Sequence, residues 1–119
     1  MTELNEKLAK WAGFIFVADV YVKAAYSSEG YWIEPDNLTH TLNLPDFPHS
    51  LDACFKWLVH KLKKDINGYA EITIYEAPLG QWGVYLSDWR YYETAKTPAL
   101  ALCKAIEKLI DEEAKHETL

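Results

Sequence analysis

The stretch LPDFPHSLDACFKWLVHKL, residues 44–62, concentrates reactive side chains, among them His49, Asp52 and Cys54. A cysteine near a histidine is the pair that thiol nucleophiles use, but the thiol must be exposed and close to the base. Cys54 instead falls at helical spacing among apolar residues, and so does Cys103; free cysteines are among the most buried residue types. We therefore expect both cysteines to be core residues, and we predict no catalytic residue and no enzyme activity.

Metal ligation and acid catalysis have no support in the spacing of the remaining titratable residues. The two cysteines form no CxxC pair, and no two histidines have the i, i+4 spacing of a helical zinc site. Strand alternation points Glu71 and Glu76 in opposite directions, whereas a paired-acid site needs two carboxyl groups side by side. The histidines are His40, His49, His60 and His116. We predict no metal site and no cofactor.

The aromatic residues are numerous enough that we expect some of them to lie outside the core. They make up 14% of the chain, with five Trp and eight Tyr. In the segments YAEITIYEA and WGVYLSDW, alternation places Tyr75 and Tyr85 on the face opposite the aliphatic residues. Such rings are enriched at binding hot spots and stack on planar ligands. The candidate binding residues are Tyr75, Tyr85, Trp89, Arg90, Tyr91 and Tyr92. Alternatively, Trp11, Phe14 and Tyr31 cover this face as a second core layer.

The elements that position these residues are predicted from hydrophobic period and from turn signals. The predicted order is a helix over residues 3–12, an extended flap over 14–43 and a helix over 50–64. A hairpin and a short strand follow over 69–95, and a helix over 97–115 ends the chain. Antiparallel strands with segregated helices indicate an α+β fold. We predict one domain over residues 1–119: a small antiparallel sheet of about three strands, plus an N-terminal hairpin, packed with helices in a layered α/β/α-like sandwich.

The residues at the start of each long helix explain the polar side chains around residues 45–52. Pro45 and Pro48 delay the helix, and Ser50 is a favourable N-cap. Thr97 and Pro98 start the C-terminal helix in the same way. The predicted apolar stripe of the first of these helices is Leu51, Cys54, Phe55, Leu58 and Leu62. That of the C-terminal helix is Ala99, Leu102, Cys103, Ile106, Leu109 and Ile110.

The net charge of −6 and the single arginine, Arg90, argue against nonspecific nucleic-acid binding. The most apolar stretch, FIFVADVYV, is too short to cross a bilayer. With no secretory signal and two unpaired cysteines, we expect a soluble cytoplasmic protein that does not bind membranes.

The segment LPDFPHSLDACFKWLVHKL, the hairpin and the segment TPALALCKAIEKLI together resemble the phage ABA-sandwich domain family. The resemblance covers residues 44–112 and, more loosely, residues 4–13. It implies helices layered around a sheet and a protein of bacteriophages or prophages, located in the bacterial host cytoplasm. It implies no catalytic or binding residue.

Two functions follow as expectations. The leading one is a non-enzymatic phage accessory protein that binds a host or phage protein, or a second copy of itself as a homo-oligomer, and modulates a host process. An acidic, aromatic-rich domain suits protein contact. The alternative is a small-ligand binder that sequesters a nucleotide signal of host antiphage defence in an aromatic pocket. Lys and Arg clustered beside Tyr75, Tyr85 and Trp89 would favour the alternative.

Overall fold

A computed structural model describes residues 2–18, 30–36, 39–65, 71–86 and 91–117. In chain order the elements are α1 (Thr2–Ala12), β1 (Ile15–Ala18), β2 (Gly30–Ile33), β3 (His40–Thr41), a 3-10 turn (Phe47–His49), α2 (residues 51–65), β4 (Ile72–Ala77), β5 (Gln81–Leu86), β6 (Tyr91–Ala95) and α3 (Pro98–Glu117). Within the described ranges these are three helices and six strands.

The strands form two three-stranded antiparallel sheets, in the spatial orders β1–β2–β3 and β4–β5–β6. The first sheet contains the predicted N-terminal hairpin, with Ile15 opposite Ile33. The second joins the predicted hairpin to the predicted short strand. In the tight turn between β4 and β5, both Leu79 and Gly80 have positive φ, and this combination is favoured in tight turns of β-hairpins. The α+β class predicted from the sequence is confirmed.

The C-terminal helix α3 lies between the β4–β6 sheet and the other helices. It packs against β5 and β6, and also against α1, the 3-10 turn and the middle of α2. Leu102, Cys103 and Ile106 on the predicted stripe are fully buried, and so are Ala101 and Ala105 outside that stripe. Since both sides of α3 are covered, small alanine side chains allow its neighbours to approach closely.

Polar contacts hold α1 and the proline-rich segment against this core. The Lys7 ammonium lies 3.2 Å from the Glu107 carboxylate and 2.6 Å from that of Asp111, both on α3. The Asn5 side chain donates to the backbone oxygen of Pro45 and accepts the N–H of Phe47. These two bonds satisfy backbone groups of a segment that forms no regular structure before the 3-10 turn.

Helix α2 starts as predicted, but its middle is a π-helix. The Ser50 hydroxyl accepts the N–H of Ala53 at 3.2 Å, so the predicted cap is confirmed. After the α-helical turn Leu51–Ala53, the segment Cys54–Val59 is π-helical, and the α-helix resumes over His60–Asp65. Hydrogen bonds in a π-helix span five residues instead of four, so the side chains turn relative to an α-helical stripe.

The π-helical segment removes Phe55 from the predicted apolar stripe. The side chain of Phe55 is 45% exposed, whereas Leu58 and Val59 are buried. The prediction that Phe55 belongs to the core face of this helix is therefore wrong. It assumed α-helical spacing throughout, and that spacing fails between residues 54 and 59.

Candidate functional site

Three tyrosines meet on the face of the β4–β5–β6 sheet that points away from α3. The strand register places Tyr85 opposite Tyr92. It places Tyr75 opposite Gly83, which lies two residues before Tyr85 on β5. Because side chains alternate along a strand, Tyr75, Tyr85 and Tyr92 share one face. We call these three residues the tyrosine cluster, and the face that carries them the outer face.

The rings of the tyrosine cluster are stacked across the three strands. The ring centroids of Tyr75 and Tyr85 lie 5.2 Å apart, and those of Tyr85 and Tyr92 lie 4.5 Å apart, with interplanar angles of 13° and 22°. The Tyr75 hydroxyl oxygen is 3.1 Å from the hydroxyl oxygens of both other tyrosines. Since a hydroxyl carries one proton, Tyr75 donates in one contact and accepts in the other.

A glycine under the cluster makes this arrangement possible. A Cβ atom at Gly83 would overlap the ring of Tyr75, so this ring lies directly across the glycine backbone. A glycine inside a strand often marks such a close approach. The glycine in the segment WGVYL is therefore a sequence feature that indicates the cluster, and the sequence predictions did not use it.

Hydrogen bonding within the cluster favours the neutral phenols. The bond to Tyr85 raises the pKa of Tyr75, and the contact with Tyr92 opposes this in part. The bond to Tyr75 raises the pKa of Tyr92. The hydroxyls of Tyr75 and Tyr92 are therefore kept in the protonated form, in which they can donate to, or accept from, a bound partner.

The strand residues of the outer face carry no formal charge within the described part of the sheet. By alternation they are Thr73, Tyr75, Ala77, Gln81, Gly83, Tyr85, Tyr92 and Thr94. The Lys108 ammonium of α3 reaches the sheet beside them, but it pairs with Glu93 at 2.9 Å and donates to the backbone oxygen of Tyr92. Lys108 thus has partners of its own, and the described strand residues of the outer face include no lysine or arginine.

The remaining predicted site residues do not join the cluster. Tyr91 is paired with Leu86 and packs against the buried core, so it lies on the inner face of the sheet. Its grouping with Tyr92 is corrected because neighbouring strand residues point to opposite faces. Trp89 and Arg90 lie outside the described residues.

The three residues expected to cover the outer face in the alternative interpretation have other contacts. The Trp11 indole N–H donates to Glu113 on α3 at 3.3 Å. Phe14 contacts the rings of Phe47 and Trp57. Tyr31 stacks on a side chain of its own sheet, His40. Of the cluster, Tyr92 is 38% exposed.

The two cysteines meet in the core where α2 contacts α3. Their Sγ atoms are 3.6 Å apart, both residues are fully buried, and the Cys54 thiol donates to the backbone oxygen of Phe47. The expectation that both are core residues is confirmed. The bond to Cys54, together with burial, raises the pKa of Cys103, which disfavours the thiolate that a nucleophile requires. The imidazole Nδ1 of His49 instead lies 3.0 Å from Asp46.

Searches beyond this chain add no assignment. A scan against protein-family models, a search of curated proteins and a search of solved structures each found no match. Among the described residues, no three His, Cys, Asp or Glu side chains gather as metal ligands would. No helix in the same ranges combines the length and apolar character that a bilayer crossing requires.

Proposed function

We propose that the protein is a binding module that contacts a partner protein through the outer face of the β4–β5–β6 sheet. The observation that carries the proposal is the tyrosine cluster, whose rings are stacked and hydrogen-bonded before any partner arrives. Rings held in place lose little side-chain entropy on binding, which favours affinity.

The chemistry of the face favours a protein over a polyanion. A phosphate backbone would meet an uncharged strand surface on a chain of net charge −6. Tyrosine presents an apolar ring and a polar hydroxyl together, which is why it is enriched at protein interfaces. The threonines at positions 73 and 94 add further hydrogen-bonding groups around the rings.

The resemblance to the phage ABA-sandwich domain family supports a phage or prophage setting for this module. The proposed partner is then a host or phage protein, and the module acts by occupying that partner's surface. A second copy of the chain is the other protein that this face could bind, and measurement of the oligomeric state distinguishes the two.

The test compares two variants that each replace an aromatic residue by lysine. Tyr85→Lys places a charge within the tyrosine cluster, whereas Phe55→Lys makes the same change on the exposed side of α2. Circular dichroism first confirms that both variants fold. Each is then used to capture proteins from a bacterial lysate, and a protein lost only with Tyr85→Lys is purified and titrated.

A partner that depends on the cluster should bind Tyr85→Lys at least about tenfold more weakly than it binds the wild type or Phe55→Lys. Light scattering over a range of concentrations tests for a second copy, and a dimer abolished by Tyr85→Lys would identify that partner. If the wild type is a monomer and all three proteins capture the same set, or capture nothing, the proposal is wrong.

A further inference from the structure

A second surface, separate from the tyrosine cluster, is a cleft between the end of α1, the turn that follows β2 and the π-helical part of α2. Its volume is about 510 Å³, within the range of small-molecule sites. The lining residues are Ala12, Gly13, Pro35, Asp36, Lys56, Trp57, His60 and Lys61. None of these belongs to the β4–β5–β6 sheet.

Helix α2 supplies four of the side chains that line the cleft. Cys54, Leu58 and Leu62 point into the core and are buried. Lys56 and Trp57 come from the π-helical segment itself, while His60 and Lys61 lie in the turn directly after it. One helix thus presents an aromatic ring and three basic side chains to one cleft. Short π-helical segments occur frequently at functional sites.

Two ammonium groups are held against tryptophan rings at this cleft. The Nζ atom of Lys56 lies 4.9 Å from the ring centroid of Trp57, and that of Lys61 lies 5.1 Å from the ring centroid of Trp11. Cation–π contacts of this kind restrict the positions of the charges. The Trp57 ring is itself packed edge-on against Phe14 at 5.1 Å.

The described residues that line the cleft carry a positive balance of charge, although the chain as a whole is negative. Among them Lys56, Lys61 and His60 are basic, and Asp36 is acidic. The Asp36 carboxylate already accepts hydrogen bonds from the backbone N–H and the hydroxyl of Thr39. These two bonds satisfy part of the hydrogen-bonding capacity of the carboxylate and hold the Asp36 side chain against the turn that follows β2.

The apolar part of the lining comes from the end of α1 and from the turn that follows β2. Gly13 has φ of +109°, and a Cβ atom there would contact Pro35 at 3.4 Å. The N–H groups of Gly13 and Phe14 bond back to Lys10 and Ala9, which closes the helix in a Schellman motif. The backbone therefore fixes the end of α1 beside Pro35, and Ala12, Gly13 and Pro35 are the apolar residues that line the cleft there.

We infer that this cleft binds a small anion that carries a flat apolar ring, such as an aromatic phosphate or carboxylate. The ring would lie against Trp57, Pro35 and the end of α1, where it displaces water from apolar surface. The anionic group would pair with the ammonium groups of Lys56 and Lys61. The inference is independent of the proposed protein-binding function, since the two surfaces share no residue.

The test uses four probes that separate the ring from the charge: phenyl phosphate, benzoate, inorganic phosphate and benzyl alcohol. A benzoate titration distinguishes a carboxylate from a phosphate preference. Binding is measured on the full chain by changes in amide NMR shifts. Lys56→Gln/Lys61→Gln removes both ammonium groups, Trp57→Leu removes the ring, and Lys63→Gln, an exposed lysine of α2 outside the cleft, is the matched control.

Phenyl phosphate or benzoate should bind saturably and more tightly than inorganic phosphate or benzyl alcohol, with the shifts centred on the cleft. The lysine double variant should weaken this binding by about fivefold or more, and Trp57→Leu should weaken it as well, whereas Lys63→Gln should not. Absence of saturable binding of both aromatic anions, or equal weakening by Lys63→Gln, would overturn the inference. Equal affinity for benzyl alcohol would overturn its ionic part.

Discussion

The π-helical segment of α2 predicts that two neighbouring core-type residues differ sharply in their contribution to stability. Leu58 is fully buried, whereas Phe55 is 45% exposed. In a regular α-helix with the stripe expected from the sequence, both would face the core. Replacing each by alanine therefore tests the helical register of this segment.

The size of each effect follows from burial. Removing a fully buried leucine side chain costs about 2–5 kcal/mol, because apolar contacts are lost and a cavity is left. Phe55 buries only about half of its side chain, and solvent fills the space, so Phe55→Ala should cost about 1 kcal/mol. At about 2.1 cal/mol/K per residue, a chain of 119 residues has an unfolding entropy near 250 cal/mol/K. One kcal/mol then corresponds to a shift in Tm of about 4 °C.

Thermal unfolding followed by circular dichroism should therefore show Leu58→Ala melting about 8–20 °C below the wild type, and Phe55→Ala about 4 °C below it. Urea unfolding of the same proteins checks that the free energy of unfolding falls with urea concentration at the same slope in each, and that the transitions are two-state. A loss for Phe55→Ala as large as that for Leu58→Ala would refute the π-helical register.

Two further predictions concern titration and oxidation. The pKa values of Tyr75 and Tyr92 are raised, so above their ordinary value of 10.0 the unfolded chain releases protons first and stability falls as the pH rises. Chemical unfolding at a series of pH values above 10.0 should show a smaller decline in the free energy of unfolding for a variant with phenylalanine at both positions. An equal decline in the wild type and the variant would contradict the hydrogen-bonded cluster. The second prediction is that diamide, a thiol oxidant, joins Cys54 to Cys103 within one chain, since their Sγ atoms are 3.6 Å apart. The two thiols lose two protons and two electrons to the diamide, and the reaction is slow because both thiols are buried. The mass of the intact protein should fall by two hydrogens. Separate diamide adducts on the two cysteines, without a crosslink, would contradict the prediction.

The sequence by itself determined the features that depend on neighbouring residues. The caps at Ser50 and Thr97 were predictable because a hydroxyl reaches an N–H only three residues away. The β4–β5 hairpin was predictable from strict alternation around the segment PLGQ, and alternation also placed Tyr75 and Tyr85 on one face. The α+β class followed from these elements, since each has a local pattern.

Only the tertiary structure decided which of these residues meet. The stacking of Tyr92 on Tyr85 depends on the register of β6 against β5, and the contact between Cys54 and Cys103 depends on how α2 crosses α3. The π-helical turn that exposes Phe55 was not readable from spacing, because the sequence satisfies an α-helical stripe equally well. The cleft likewise joins segments far apart in the chain. Contacts between distant segments are set by packing of whole elements, for which no local sequence pattern exists.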